Sequence, residues 1–535
     1  MTVQLARGGR LVTAAVAAAL LLASCGGDSD TGSTNGGGGG DTTFVTGLAS
    51  QPEMLVRSFT SDAITATVGL AIAEGLVRTT KDKEVVPALA QSWDISDDGL
   101  SYTFHLRQGV TWHDGEPFTS ADVVFSFQEV LPLSPTGAVL TGTIDTVTAP
   151  DDATVVVTLK QPLAPLLLAL GPQDFSIQPA HIYEGTDLLA NPNNRAPVGT
   201  GPYVFDSWSG DTITLTANKD YWDGAPAIGR LVYKVIPDSN SRANALLNGE
   251  IDYINKFDVD DTIVKALDGN DEITLQNGRV SATFMTMWLN QNEEPLGDPE
   301  VRKALFMALD RDLMAQSADP EFTQPATGSF PIGLWATDTG IDYLDMYGYD
   351  SDAAAALLDE AGYPEQGDGT RFTVRLRYVA TQPYTQALAA IIADNWRAIG
   401  VETEPTQDEA TVNSSAVFTD HDFGTNILSL DTRPDPEFGI GRVYKCNPND
   451  LAFNNPTGYC NEELDALFVE AARTQDQPQR AEIYAQAQAI IAEELPAITL
   501  LQMDQPDAIR SSFNGIEEFL SGALSGDLTW SALEP

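Results

Sequence analysis

Histidine and cysteine are scarce in this chain of 535 residues, which has four histidines and three cysteines. The four histidines are scattered, and none lies within ordinary metal-ligand spacing of a cysteine. The chain also has no Gly-x-Ser-x-Gly elbow, no His-Glu-x-x-His motif and no Walker A loop. Pairs of carboxylates are so abundant that a glycosidase-like pair could be drawn almost anywhere, so they carry no information. We therefore expect no enzyme, with a secreted hydrolase as a minor alternative, and we expect no cofactor.

Positive charge is also in short supply, because 29 Lys and Arg residues stand against 76 Asp and Glu residues, a formal net charge of −47. Nucleic acids and anionic membrane surfaces need basic patches to displace their counterions. This composition therefore excludes both as expected partners. It permits a cationic ligand without requiring one, since exposed acids also serve simply to keep a secreted protein soluble.

No apolar run is long enough to cross a bilayer core of about 30 Å. The longest candidate, residues 11–23, follows Arg7 and Arg10 and is only 13 residues long. A basic start, a short apolar segment and small residues are typical of a secretory signal that is removed. Ser24 and Cys25 follow, and then a stretch rich in Gly, Asp, Ser and Thr that reaches Gly40.

The end of this leader resembles the lipobox of bacterial lipoproteins, because Leu22-Ala23-Ser24 directly precedes Cys25. The resemblance implies a signal peptide at residues 1–24 and an acylated Cys25 as the first residue of the mature chain. Residues 25–40 then form a flexible tether to the outer face of the cell membrane. The alternative is an incidental or buried cysteine in a soluble secreted protein.

Cys446 and Cys460 are the only cysteines after the leader, and the sequence between them is rich in Asn, Pro and Gly. Outside the cytosol two nearby thiols most often pair, and closing a loop of this length contributes roughly 3 kcal/mol in the chain-entropy model. Metal ligation, the rival interpretation, lacks histidine partners. We predict a disulfide.

Helix-like and strand-like segments alternate along the body, which predicts a mixed α/β protein too large for a single core. Alternation predicts a strand over 100–106, and a capping-box pattern predicts a helix that begins after Thr119. Asp298-Pro299 predicts a helix start, and Gly400 predicts the end of a helix over 384–399. The strand 372–378 carries three nearby arginines on one face, at 371, 375 and 377, which favours an exposed edge strand over an arginine site.

Several stretches resemble the family 5 extracellular solute-binding proteins, the peptide/nickel-type receptors of ABC importers. They cover most of the mature chain in the family's order, and they lie at 87–93, 97–107, 112–119, 122–126, 199–203, 218–222, 246–251, 349–364 and 465–500. The resemblance implies a two-lobed periplasmic-binding-protein-like fold, type II and cluster C-like, with an additional small subdomain. By analogy, lobe I takes residues 41–85, 196–288 and 500–535, the small subdomain takes 86–195 and lobe II takes 289–499.

In peptide-binding relatives an aspartate in a Trp-x-x-Asp pattern, before an Asp-Pro and a cysteine, binds the ammonium group of the peptide. Asp431 matches that position, although Leu428 replaces the tryptophan and the spacing to Asp435-Pro436 is one residue longer. A desolvated carboxylate facing an ammonium makes a short charge-assisted hydrogen bond. The alternative is that Asp431 only caps a turn.

Dipeptide-selective relatives have Arg-Pro-Tyr before the helix at 384–399, and this arginine holds the ligand's carboxylate. This chain has Gln382-Pro383-Tyr384 there. A neutral amide cannot supply the bidentate cationic fork, which favours longer peptides or ligands without a free carboxylate. Gln382 and Tyr384 join Asp431 as candidate ligand-binding residues.

The resemblance therefore implies a monomeric receptor that captures peptides, chiefly oligopeptides, by hinge closure and delivers them to an ABC permease. Two alternatives remain open. One is a receptor of the same family for a metal chelate, opine, oligosaccharide or haem, and the other is a surface protein with a signalling or adhesive role.

Overall fold

The structure, a computed structural model, describes residues 42–60, 62–80, 84–134, 137–276, 283–318, 320–379, 383–431, 433, 435–448, 454–504, 506–521, 530 and 532–535. Within these ranges the chain forms three larger β-sheets and one two-stranded sheet, with helices between their strands. The predicted mixed α/β class is confirmed.

The strands of the described residues are, in chain order, Thr43–Leu48 (β1), Val77–Thr79 (β2), Val85–Pro87 (β3), Ala90–Ile95 (β4), Ser101–Leu106 (β5), Ile144–Asp151 (β6), Thr154–Leu159 (β7), Tyr203–Ser209 (β8), Thr212–Ala217 (β9), Arg230–Val235 (β10), Tyr253–Ile254 (β11), Ile273–Gln276 (β12), Thr283–Leu289 (β13), Thr323–Pro325 (β14), Phe372–Val379 (β15), Val401–Asp408 (β16), Thr425–Asp431 (β17), Ala497–Met503 (β18) and Asp507–Arg510 (β19).

The α-helices of the same residues are Ala63–Gly69 (α1), Ser120–Phe125 (α2), Gly137–Thr143 (α3), Ala180–Tyr183 (α4), Ser239–Leu247 (α5), Asp261–Leu267 (α6), Pro299–Met307 (α7), Arg311–Ala318 (α8), Tyr343–Met346 (α9), Ser351–Glu360 (α10), Pro383–Ala398 (α11), Ala410–Phe418 (α12), Gly441–Tyr444 (α13), Glu462–Arg473 (α14), Gln477–Glu494 (α15) and Ile516–Ser521 (α16). Short 3₁₀ turns lie at Arg57–Phe59, Leu131–Leu133, Ala164–Leu170, Pro192–Asn194 and Lys256–Asp258, and a π turn lies at Ser126–Val130.

The predicted helix starts are confirmed in atomic detail. Asp122 accepts a hydrogen bond from the backbone N–H of Thr119 at 2.9 Å, which completes the capping box of α2. Asp298 caps α7 by accepting a hydrogen bond from the backbone N–H of Glu300, also at 2.9 Å. Helix α11 ends just before Gly400, whose φ of +79° is the left-handed conformation that glycine adopts freely. These local signals therefore fix where the helices begin and end.

The seven-stranded first sheet has the strand order β12-β19-β11-β1-β10-β9-β8. Its strand β1 runs parallel to both neighbours, β10 and β11. The small sheet is antiparallel and has the order β4-β5-β7-β6. Its inward residues Tyr102, Phe104, Val155 and Val157 belong to one apolar core, which we call the small-sheet core.

The six-stranded second sheet has the order β14-β18-β13-β17-β15-β16. Its strand β13 is buried on both sides, since Met285 and Met287 enter one apolar core while Phe284 and Trp288 enter another. Successive residues of a strand point to opposite faces, so this division shows that packed layers cover both faces of the sheet. Helices α7, α8, α10 and α11 supply the first of these layers.

The prediction of an exposed edge strand with three arginines is wrong, because β15 lies inside the second sheet between β17 and β16. Arg371 is buried and donates a hydrogen bond from Nε to the carbonyl of Ile399 at 2.9 Å. Arg377 forms ion pairs with Asp408 at 2.8 Å and with Asp422 at 3.0 Å. These partners come from distant segments of the chain, which the local sequence of the strand does not reveal.

The expected division into lobes stays a prediction. The boundaries near 288 and 500 fall within β13 and β18, and both strands belong to the second sheet. The first sheet contains β12 and β19, so the chain passes from the first sheet to the second after β12 and returns after β18.

Candidate functional site

One edge of the second sheet gathers the ends of two parallel strands. Strands β15 and β17 are parallel, with Leu376 opposite Thr425 and Tyr378 opposite Ile427. Their last residues, Val379 and Asp431, therefore lie at the same edge. In open sheets with parallel strands, ligands bind beyond the carboxyl ends of the strands. This edge is therefore the candidate functional site.

The structure brings two of the three predicted ligand-binding residues to this edge. Asp431 is the last residue of β17, and its backbone is in register with Thr283 of β13. Tyr384 lies in the first turn of α11, directly after the end of β15, where its half-buried ring packs against the apolar core. Gln382 lies outside the described residues. The roles of all three in ligand binding remain predictions.

A buried ion pair stabilises the segment that follows β17. Asp435 Oδ1 accepts a hydrogen bond from Arg480 at 2.9 Å, Asp435 Oδ2 lies 2.8 Å from the same guanidinium nitrogen, and the side chains are only 2% and 7% exposed. Burial raises the pKa of the Asp435 carboxyl, and the charge of Arg480 opposes this shift. The backbone N–H of Glu437 also donates to Asp435, at 3.0 Å, which helps to define the turn after Pro436.

A second ion pair connects the same segment to a distant part of the chain. Arg433 pairs with Asp174, and both side chains are mostly buried, at 23% and 12% exposed. Asp174 directly precedes Phe175, a member of the small-sheet core. The sequence does not predict that Arg433 and Asp174 form a pair, since 259 positions separate them.

The corresponding edge of the first sheet carries a buried acid that the sequence did not reveal. Asp258 lies in the 3₁₀ turn after β11 and is 5% exposed. Burial raises its pKa to about 7, although the nearby Arg242 lowers it. One of its carboxylate oxygens, Oδ2, has no hydrogen-bond partner among the described residues. No local motif marks this position, because its environment includes Arg242 of α5, Ala49 after β1 and Asp62 before α1.

The predicted disulfide between Cys446 and Cys460 is present, with Cα atoms 4.5 Å apart. Beside it lies a pocket of about 270 Å³, whose lining includes Asn292, His421 and Tyr459. His421 precedes β17, whereas Asp431 ends it, so roughly 20 Å of strand separates the pocket from the candidate edge. The pocket is therefore not part of the candidate site.

Two features are absent from the described ranges. These residues contain no group of three or more His, Cys, Asp or Glu side chains arranged to hold a metal ion. Among them, no helix combines the length and the apolar character needed to span a membrane. The predicted lipidation site, Cys25, lies outside the described residues, as does the whole leader.

Comparison with known proteins decides the family. The model for bacterial extracellular solute-binding proteins, family 5 (Middle), matches residues 84–450. The chain belongs to this family. Its members are substrate-binding receptors, not enzymes; they act outside the cytoplasm, where they bind peptides or other small solutes for ABC permeases.

Two curated relatives illustrate the range of the family. This solute-binding protein is 32% identical to heme-binding protein A of Haemophilus influenzae over 438 residues, which cover 78% of each chain. It is 31% identical to di/tripeptide-binding protein 2 of Pseudomonas aeruginosa over 460 residues, which cover 81% of this chain and 84% of the relative. The relatives of this chain therefore include proteins named for haem and for small peptides.

A solved structure supports the fold. The oligopeptide-binding protein AppA of Bacillus subtilis, in complex with a nonapeptide, superposes with a TM-score of 0.76 and is 25% identical. The match covers 92% of this chain and 98% of AppA. The fold is therefore the two-lobed α/β fold of periplasmic binding proteins, as the sequence resemblance implied.

Proposed function

We propose that this protein is the peptide receptor of an ABC importer and that Asp431 binds the ligand's ammonium group. The observation that carries the proposal is the position of Asp431 as the last residue of β17, at the edge where β15 also ends and α11 begins. Peptide-binding relatives, including the di/tripeptide-binding protein and AppA with its nonapeptide, support this choice of ligand class.

The expected chemistry at this edge is charge-assisted hydrogen bonding. A carboxylate shielded from water by the closed lobes holds an ammonium group through a short hydrogen bond. The extended peptide backbone then adds main-chain hydrogen bonds that do not depend on side-chain identity. Water-filled space around the side chains accommodates their variety. Because Gln382 cannot form the cationic fork for a ligand carboxylate, oligopeptides fit this proposal better than dipeptides.

Ligand capture requires a hinge. By analogy with the family, two chain crossings near residues 288 and 500 form it. A few residues in such connections can absorb the rotation that brings two lobes together. In this proposal the closed form presents the bound ligand to the permease, and the protein acts as a monomer.

Native mass spectrometry of the purified protein tests the ligand class, since receptors of this kind often retain ligand. A ladder of peptide masses supports the proposal, and one non-peptide mass refutes it. Titration calorimetry with tetra-alanine tests the role of Asp431. We expect Asp431→Asn to weaken binding by at least about a hundredfold, because a buried ammonium would lose its counter-charge.

The matched control for this titration is Asp394→Asn, which removes an exposed acid on α11 that pairs only with Arg397 among the described residues. It should leave tetra-alanine affinity unchanged. Equal affinities of wild type and Asp431→Asn would show that Asp431 only caps a turn.

A non-peptide solute is the second candidate, favoured by one observation. The heme-binding relative is 32% identical to this chain, and the di/tripeptide-binding protein is 31% identical. Absorbance spectra after incubation with haemin distinguish the two candidates. A stoichiometric Soret band that survives gel filtration would support haem, whereas the peptide proposal predicts none.

We also propose that Cys25 carries the lipid anchor, which would hold the receptor at the outer face of the membrane. Expression with an alkyne-labelled fatty acid should label the wild-type protein and should not label Cys25→Ser. Labelling that persists in this variant would refute the anchor at Cys25.

A further inference from the structure

The segment that follows β17 and helix α14 contact the small-sheet core and residues next to it, and we call this contact surface the small-sheet face. Arg433, two residues after Asp431, forms its ion pair with Asp174 across this face. Asp174 is anchored on its own side, because Phe175 and Ile177 next to it are buried in the small-sheet core. The pair therefore joins two segments that are each firmly packed.

Other contacts extend the same face along α14 and the turn after β17. Ala472 is a member of the small-sheet core, and Phe438 packs against it. Arg473 donates a hydrogen bond to Gln161, and the side-chain amide of Gln475 lies against Gly99, in the turn before β5. The contact thus combines apolar burial with directional polar bonds, which is the composition of a specific interface.

Arg480 connects the turn after β17 with helix α14. Its guanidinium binds Asp435 and also donates from Nε to the carbonyl of Ala471 at 2.8 Å. Ala471 is buried near the end of α14, directly before Ala472. A single buried side chain therefore joins the turn after β17 to the helix that contacts the small-sheet core.

Asp431 precedes the segment that these two ion pairs hold, Arg433 with Asp174 and Asp435 with Arg480. We propose that the Asp174–Arg433 pair is a positioning element for the ligand site: it fixes the segment that follows β17, so that the small-sheet region participates in ammonium recognition. This inference rests on the proposed role of Asp431. It gives the small-sheet region a part in ligand recognition, although that region carries none of the candidate ligand-binding residues.

Hydrogen exchange of the full-length protein without ligand tests the physical clamp. We expect Asp174→Asn and Arg433→Gln each to raise amide exchange about fivefold or more at 435–441 and 174–177, since these amides lose the constraint across the face. Arg433→Lys, which keeps the charge, should restore most of the protection. The control Asp394→Asn should change neither segment. Unchanged exchange at both segments in both single variants overturns the proposal.

Calorimetry with tetra-alanine and N-acetyl-tetra-alanine tests the link to the ammonium site. Asp174→Asn should weaken binding of the free peptide about tenfold. It should also reduce the ratio of the affinity for the free peptide to the affinity for the acetylated peptide. A purely structural role would leave this ratio unchanged. An equal loss for both peptides overturns the positioning role. If the wild type binds neither peptide, the proposed peptide function fails, while the exchange experiment still decides whether the clamp exists.

Discussion

Removing the positive charge of Arg480 should destabilise the protein strongly, because Asp435 would remain buried without its counter-charge. In Arg480→Met the apolar stem is kept and the guanidinium is lost. Asp435 and Arg480 have side chains 2% and 7% exposed, so solvent screens their interaction little. Breaking a buried pair of this kind costs about 3–5 kcal/mol of unfolding free energy, whereas an exposed pair costs about 0–1 kcal/mol.

The measurement is urea unfolding at pH 7, followed by tryptophan fluorescence, with Arg397→Met as the matched control. Arg397 is 54% exposed and pairs with Asp394 on the same helix, so its loss should cost less than about 0.5 kcal/mol. An Arg480→Met protein as stable as this control would refute the reasoning that Asp435 is charged and depends on Arg480.

The pH dependence of the same variant gives a second check. Burial raises the pKa of Asp435 above its unfolded value, and removal of Arg480 raises it further. A raised carboxyl pKa means that the folded state binds the proton more tightly than the unfolded state. The stability contribution is therefore present at low pH and is lost as the pH rises through the folded pKa. Arg480→Met should recover part of its lost stability between pH 7 and pH 5, relative to wild type.

Three further predictions concern other parts of the molecule. Replacing Cys446 and Cys460 together by serine should lower the unfolding free energy by about 3 kcal/mol in urea, and an unchanged midpoint would contradict the entropic argument. The unfolding free energy of the wild type should fall as the pH rises through the Asp258 pKa of about 7. Asp258→Asn should flatten this part of the plot of unfolding free energy against pH, measured in urea. Parallel plots for the two proteins would refute the assignment of this pKa to Asp258. Gln382→Arg should improve calorimetric affinity for dipeptides with free carboxyl termini, and unchanged affinity would remove Gln382 from the site.

Sequence information was sufficient where the physical signal is local. The capping box at Thr119, the Asp298-Pro299 start and the glycine stop at 400 each depend on a few neighbouring residues, and all three are confirmed. The disulfide was predictable for the same reason, since only 14 positions separate its cysteines. The family resemblance supplied the fold, which periodicity alone had limited to mixed α/β.

Sequence information failed where the signal is a contact between distant segments. The arginines of β15 suggested an exposed edge, yet β16 returns through α11 to cover that edge in parallel register. Asp435 was visible only as part of an Asp-Pro pair, because its partner Arg480 lies 45 positions later. Asp258 gave no signal at all, since its raised pKa is produced by burial that only the folded chain creates.

The distribution of arginine explains how so acidic a chain maintains large cores. Several arginines of the described residues are almost fully buried, and they bind backbone carbonyls at the ends of elements. Arg302 is one example, with hydrogen bonds to the carbonyls of Leu296, Gly297, Glu494 and Leu495. Arg242 acts similarly at the carbonyls of Ile236 and Pro237.

Arginine suits this use because its five donors satisfy several orphan carbonyls at once, and its charge is not lost at physiological pH. Buried acids and buried bases of the described residues are equal in number, so the exterior keeps the strongly negative balance of the sequence, formally −47. Such a surface attracts cationic groups during approach, which favours ligands that present an ammonium group first. In the proposed function, the negative charge of the whole protein attracts the ammonium group at long range, and Asp431 binds it at short range.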